Sequence, residues 1–233
     1  MIRKSGDRFS EKIMLKHNEQ SMMAIPSIHI MLQESLMPFL EPSILRGQHA
    51  GLEPLSHEHR DGLIAAVKDG ELWKLWYTFV PRPEDMDKEI DRRLALQSAG
   101  SMLPFTVFDA DGAIAGMTTY MNVDAPNRRV EIGSTWYAKR VQRSAVNTQC
   151  KLLLLTHAFE KLDCIAVEFR THFFNHQSRR GIERLGAKQD GILRSHQIAP
   201  NGTLRDTVVY SIIAAEWPTV KAHLNYQLNE KPR

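Results

Sequence analysis

At 233 residues with 42% hydrophobic content, the chain can bury one sizeable core and fits a single large domain. The formal charge of +3 is spread without basic runs, so nothing in it calls for nucleic acid. Cys150 and Cys164 are too few for a disulfide framework or a cysteine metal quartet, and no apolar run reaches the ~20 residues that span a bilayer.

Arg3, Lys4 and Arg8 precede an apolar patch over residues 21–31, but Pro26 and His29 interrupt it and no small-residue cleavage site follows. The expectation is a cytoplasmic protein with an N-terminal extension over residues 1–40, either loosely docked or a dimer arm, a main domain over 41–220 and a C-terminal tail over 221–233. Residues 44–55 read as a short first strand, and Ser56 is an N-cap for a helix through Leu63, Ile64 and Val67 that ends near Gly70. Aromatic residues concentrate at Trp73, Trp76, Tyr77 and Phe79. Pro83 and Glu84 suit the first turn of a second helix, with Met86, Ile90 and Leu94 at helical spacing.

From Phe105 the pattern turns to strands. Asp109-Ala110-Asp111-Gly112 is a hairpin-like turn before residues 113–122, and a second turn leads into Val130–Tyr137. The helix expected from Asn147 to Lys161 is too apolar all round for a surface helix and must pack on a sheet. Residues 165–171 form the next strand, completing a βαβ-like unit. A short helix over 177–185 closes at Gly186, and an Asn201-Gly202 turn joins the last two strands, 192–199 and 203–213.

The segment from Gln142 to Lys151 lies between a strand and the apolar helix. Unpaired N–H groups at a helix start, with the positive end of its dipole, form an anion site that suits a pyrophosphate, a geometry common to any such junction. The order of elements, together with Glu131-Ile132-Gly133, Gln142-x-x-Ala145-x-Asn147, Asn175-x-x-Ser178 and Leu185-Gly186-Ala187, resembles the GNAT N-acetyltransferase superfamily, closest to its RimJ/RimL-like branch. The likeness runs from about residue 44 to 217.

The resemblance implies an α/β fold: a mixed, splayed sheet of about six or seven strands with helices on both faces. It also implies acetyl-CoA in the gap between the fourth and fifth strands, and direct transfer to an amine. Gln142, Arg143, Ser144, Ala145, Val146 and Asn147 are then expected to hold the phosphates, and Ser134, Thr135, Trp136, Asn175 and Ser178 the rest of the CoA arm. Ala145 and Asn147 stand where the family carries small residues, and an alanine adds a Cβ near the phosphates.

Direct transfer needs a base, an oxyanion donor and, optionally, an acid. Glu131, an acid in an otherwise apolar strand, is the candidate base, or else it turns toward solvent or Arg129; a backbone N–H near Ser134 or Thr135 is the oxyanion donor. Many members place a tyrosine acid where this chain has Ile182, so either Ser178 assists or the thiolate leaves unaided. His172 and His176 rank below Glu131 as bases, and Cys150 is a packed helix residue. Trp73, Trp76, Tyr77, Tyr120 and His196 are candidates for the acceptor end, though aromatic residues at such spacings also build cores.

Arg194, Arg205 and Asp206 either steer a charged acceptor or form an ordinary cross-strand ion pair. No histidine and cysteine spacing makes a metal site, so no metal is expected. The acceptor is a small amine or a protein N-terminus, and a homodimer is possible. The competing reading is a regulatory protein that binds CoA without turnover, suggested by Ala145 and the missing tyrosine; the sequence carries no early G-x-G-x-x-G for a dinucleotide enzyme.

Overall fold

The computed structural model describes residues 39–230, so the extension expected over residues 1–40 lies outside it except for its last two residues. The strands are β1 (Leu45–Arg46), β2 (Ala50–Pro54), β3 (Met102–Asp109), β4 (Ile114–Asp124), β5 (Arg129–Tyr137), β6 (Ala166–His172), β7 (Lys188–Ile198) and β8 (Leu204–Ile213). They form one sheet in the order β1-β2-β3-β4-β5-β6-β8-β7. The eighth strand arises because the expected first strand folds on itself, pairing Leu45 with Leu52.

Five helices cover the sheet: α1 (Arg60–Lys68), α2 (Met86–Ser98), α3 (Val146–Glu160), α4 (His176–Glu183) and α5 (Trp217–Asn229). Successive side chains of a strand point to opposite faces, and β4 shows which helix lies where. Thr119 meets Arg93 of α2, whereas its neighbour Tyr120 donates to the Leu154 carbonyl of α3. Helices therefore lie on both faces.

Local chemistry sets the ends of these elements. Ser56 Oγ accepts from the Glu58 amide at 3.2 Å, capping the short turn that runs into α1. Past α4, Gly186 takes φ +98°, which L side chains rarely adopt. Leu154, Leu155 and Ala158 of α3 are buried because the helix is covered on its outer side too: Phe159 stacks on Trp217 of α5 with ring centroids 5.3 Å apart. α5 buries Trp217, Val220, Leu224 and Leu228, a stripe at helical spacing. It continues past residue 220, so most of the segment expected as a tail belongs to the domain's last helix.

The feature that positions the site is a failure of pairing. All neighbouring strands run antiparallel except β5 and β6, which are parallel and joined through α3. Their register covers only Arg129↔Ala166, Val130↔Val167 and Glu131↔Glu168. Beyond Glu131 the two strands part. Among the described residues, no helix is long and apolar enough to cross a membrane.

Candidate active site

Where β5 and β6 separate, the sheet opens a cleft of about 940 Å³. Strand alternation assigns its two sides. Glu131, paired with Met121 and Glu168, shares a face with Thr119 and hence with α2. On β6 and β8 the same face carries Arg170, His172, Thr207 and Arg205, since His172 pairs with Thr207. The opposite face carries α3.

β5 bends at the cleft. Its ladder to β4 runs Thr119↔Gly133 and then Met117↔Trp136, so Ser134 and Thr135 face no ladder partner on β4, and the ladder to β6 has already ended. Ser134 takes φ +47°, the left-handed conformation of a bulge residue. Arg93, 1% exposed, fixes this bulge: it donates to Thr119 Oγ1 at 2.5 Å and to the Ser134 carbonyl at 3.1 Å, and pairs with Glu89 at 2.6 Å. In a trans peptide the C=O and the following N–H point in opposite directions. Because the Ser134 carbonyl is held by Arg93, the Thr135 N–H is turned away from α2. Both Ser134 and Thr135 line the cleft, and a fixed backbone N–H outside the regular ladder there can donate to a developing oxyanion.

On the α3 side the loop behaves differently from its glycine-bearing pattern. Positive φ falls on Arg143 (+61°), whereas Ala145 is the helix N-cap with φ −69° and ψ −18°, a conformation that alanine adopts freely. Ala145 is absent from the cleft wall, so its Cβ does not narrow it. Gln142 ties the loop to β5 through the Tyr137 carbonyl at 3.1 Å, and Ser144 Oγ donates to the Val141 carbonyl at 2.6 Å. Val146 has a buried side chain, and its amide donates to Ser144 Oγ at 3.3 Å. Gln142, Arg143, Ser144 and Asn147 line the cleft beside first-turn amides that have no acceptor within the helix. No acidic residue lies in that turn, so the loop and helix start suit an anion such as a pyrophosphate.

Two cations here escaped sequence reasoning. Arg184, at the end of α4, donates to Thr148 Oγ1 at 3.0 Å and makes no ion pair among the described residues, bringing a positive charge to the start of α3. Lys151 is buried among Thr118 and Thr135, with Nζ 3.1 Å from Thr135 Oγ1, and burial pushes its pKa down to about 8. A lysine in an apolar helix and an arginine near a helix end carry no sequence signal that separates them from surface residues. Cys150 beside Lys151 is buried with its thiol pushed up to about 12, as fits a packed residue and not a nucleophile.

Asn175 caps α4, its Oδ1 accepting from the Ser178 amide at 3.0 Å. The bland role expected of an asparagine there is thus occupied, while its amide group and the Ser178 side chain still line the cleft. Ile182 also lines it, an aliphatic group where a tyrosine acid would stand.

Glu131 is 5% exposed and reaches the cleft wall. Burial raises its carboxyl above the usual range, against the opposing pull of Asn122, which donates at 2.7 Å, and Arg170 at 3.5 Å. Arg129, the alternative partner, instead holds Glu168. Gly133 gives the carboxyl room: a Cβ there would lie 2.8 Å from Glu131 Oε1.

The aromatic candidates divide. Tyr77 and His196 line the cleft. Trp76 is 52% exposed and packs edge-on against His172 at 5.1 Å without joining the wall, and Trp73 lies away from it. Tyr120 is corrected outright: it is 0% exposed, with its hydroxyl bonded to the Leu154 carbonyl, so it is core beneath α3 and touches no acceptor. Among the described residues no cluster of three or more histidine, cysteine or acidic side chains is placed to hold a metal.

A family model described as Acetyltransferase (GNAT) domain matches residues 50–188, more than half of the chain. YdaF of Bacillus subtilis (strain 168), which carries a ribosomal N-acetyltransferase name, is 36% identical over 107 residues, 46% of this chain and 57% of that protein. The chain thus matches little more than half the length of this curated relative. A GCN5-related N-acetyltransferase structure from Brucella melitensis is 30% identical, with a TM-score of 0.75 over 83% of this chain and 88% of that one. RimJ of Mycobacterium smegmatis, solved in complex with CoA-disulfide, shares the fold with a TM-score of 0.66 at 21% identity, over 80% of this chain and 93% of that one.

Proposed function

The chain belongs to the GNAT acetyltransferase family, and from that premise we propose that it moves the acetyl group of acetyl-CoA to a primary amine by direct attack. The observation that carries the reading is the meeting, in one cleft, of a buried carboxyl with raised pKa and the Thr135 amide, whose direction is set by the bond from Arg93 to the Ser134 carbonyl. Bound acetyl-CoA supplies the acyl thioester. The start of α3 with Arg143 and Arg184 holds its phosphates, and Asn175 orients the arm that follows.

Glu131 accepts the proton of the attacking amine, directly or through one water, as the N–C bond forms. The Thr135 N–H donates to the carbonyl oxygen as negative charge develops there. The C–S bond then breaks, and the thiolate, hydrogen-bonded by the Ser178 hydroxyl, takes its proton from solvent, because Ile182 has none to give. The acceptor is a protein or peptide N-terminus, a reading supported by the ribosomal-protein names of relatives, or a small amine.

The test is isotope-labelled acetyl-CoA with a panel of peptides and amines, read by thiol release and product mass. Label in the amine, lost with Glu131→Gln, is the expected outcome. Saturable CoA binding without label in any acceptor would instead support a binding protein.

A further inference from the structure

At the cleft, the carboxylates on the face of the sheet that carries Glu131 are already matched by cations. Glu131 and Glu168 are matched by Arg170 and Arg129, two against two: Arg170 reaches both carboxylates, and Arg129 holds Glu168. On the final hairpin Arg194 satisfies Asp206 at 2.6 Å, and Asp206 also accepts from the Ser195 amide. Arg205 is left over. It lines the cleft, donates Nε to Thr207 Oγ1 at 3.2 Å and lies over the Phe79 ring at 5.6 Å, yet among the described residues no carboxylate comes within ion-pair distance of its two terminal nitrogens. A partly desolvated guanidinium with both fork nitrogens unpaired matches a carboxylate in geometry as well as charge.

A second, independent observation lies on the same face. His172 is 4% exposed, and its Nδ1 accepts from the Phe174 amide at 3.1 Å. That bond fixes the tautomer, so the ring proton sits on Nε2. Nε2 is buried, makes no hydrogen bond among the described residues, and belongs to a residue of the cleft wall. A buried N–H without an acceptor costs free energy unless something arrives to accept it. His172, Arg205 and Glu131 lie close enough that the Arg205 charge acts on both of the others.

We infer that the acceptor amine carries a carboxylate nearby, held between the free guanidinium edge of Arg205 and the Nε2–H of His172. Both are specificity residues that take no part in the proton transfer assigned to Glu131. The inference rests on the acetyl-transfer reading and deepens it by naming the acceptor's chemical class. The carboxylate can belong to an acidic side chain near a peptide N-terminus or to a free amino acid.

The experiment compares matched acceptors: peptides beginning Ser-Asp or Ser-Asn, and β-alanine against propylamine. The expected preference for the acidic member of the relevant pair is about tenfold or more in kcat/KM, most of it in KM, because a site built to pair a charge rejects the neutral analogue. The peptide pair and the small-amine pair separate the two sources. In Arg205→Ala the ratio falls to near one, and Arg205→Lys, which keeps the charge and loses the fork, retains part of it. His172→Phe, which keeps a ring and removes the donor, lowers the ratio in part. No preference in the wild-type protein, or the wild-type ratio preserved in Arg205→Ala, overturns the inference and leaves acetyl transfer standing. If no acceptor releases thiol, acetyl transfer itself fails. In that case the His172 Nε2–H resonance is followed as N-acetyl-β-alanine or N-propylacetamide is added. A saturable shift with the acid alone supports the carboxylate site, and no shift overturns it.

Discussion

The two sides of the cleft are made of different materials. The side proposed for CoA presents mostly backbone beside the Arg184 and Asn175 side chains: first-turn amides of α3, the Arg143 turn, the Thr135 N–H at the bulge. The acceptor side presents side chains: Glu131, Arg170, His172 and Arg205 on one face of β5, β6 and β8. Backbone donors depend on conformation and tolerate changes of residue, whereas a site of side chains changes its chemistry with each substitution. The first therefore suits a donor common to many enzymes, and the second an acceptor particular to one.

That contrast can be broken. Glu131→Gln removes the base and is expected to lower kcat by about 10²–10⁴. The wild-type rate should fall with acidification through a pKa above the ordinary carboxylate range, because burial raises the Glu131 carboxyl and only its ionised form accepts a proton. That acid limb disappears in the variant, and a pH–rate profile of both checks it.

Next in size is Arg93→Met, expected to cost about 3–5 kcal/mol of stability, as breaking a buried pair does. In whatever fraction folds it should lower kcat more than the affinity for CoA, since the Thr135 amide loses its anchor; urea melts and steady-state kinetics separate the two.

Lys151→Met sharpens the comparison from the CoA side. The folded-state pKa is about 8, below the ordinary 10.5, so the unfolded chain binds more protons between those values and wild-type stability rises with pH across that window. The variant should melt above the wild type at pH 7, with the gap closing as pH climbs from about 8. Smallest of all is Ala145→Gly. Because Ala145 already adopts a conformation open to alanine, the KM for acetyl-CoA should move by less than about twofold.

Much of the frame was legible in the sequence. The Asp109–Gly112 and Asn201-Gly202 turns, the Ser56 cap and the all-apolar α3 each stated their structure through local chemistry. The bulge was not legible, because one extra residue in Arg129–Tyr137 changes no pattern until the partner strand is known. Arg93 misled in another way. Helical spacing pointed to Leu94 as the buried position, whereas the guanidinium of its neighbour is what reaches Ser134 through the core. For Tyr120 the sequence left both an acceptor contact and a core place open, because it does not show that α3 lies above it. The C-terminal helix was legible too, since Trp217, Val220, Leu224 and Leu228 recur at helical spacing, and the tail expected over residues 221–233 overlooks that stripe.

The short register between β5 and β6 has a mechanical consequence. Three ladder pairs, the α3 crossover and the Arg129–Glu168 and Arg170–Glu131 ion pairs join the two halves of the sheet, so the backbone ladder is shorter at this seam than in the β4–β5 and β6–β8 pairings beside it. A molecule wedged into that seam touches both halves and acts as a rivet. At a hundred times its dissociation constant it would add about 2.7 kcal/mol to global stability. Amide exchange along Ile132–Tyr137 and Phe169–His172 should slow more than at the β3–β4 hairpin, which is already fully laced. On the proposed function, the cosubstrate would in this sense be a missing part of the sheet, supplied anew at each turnover.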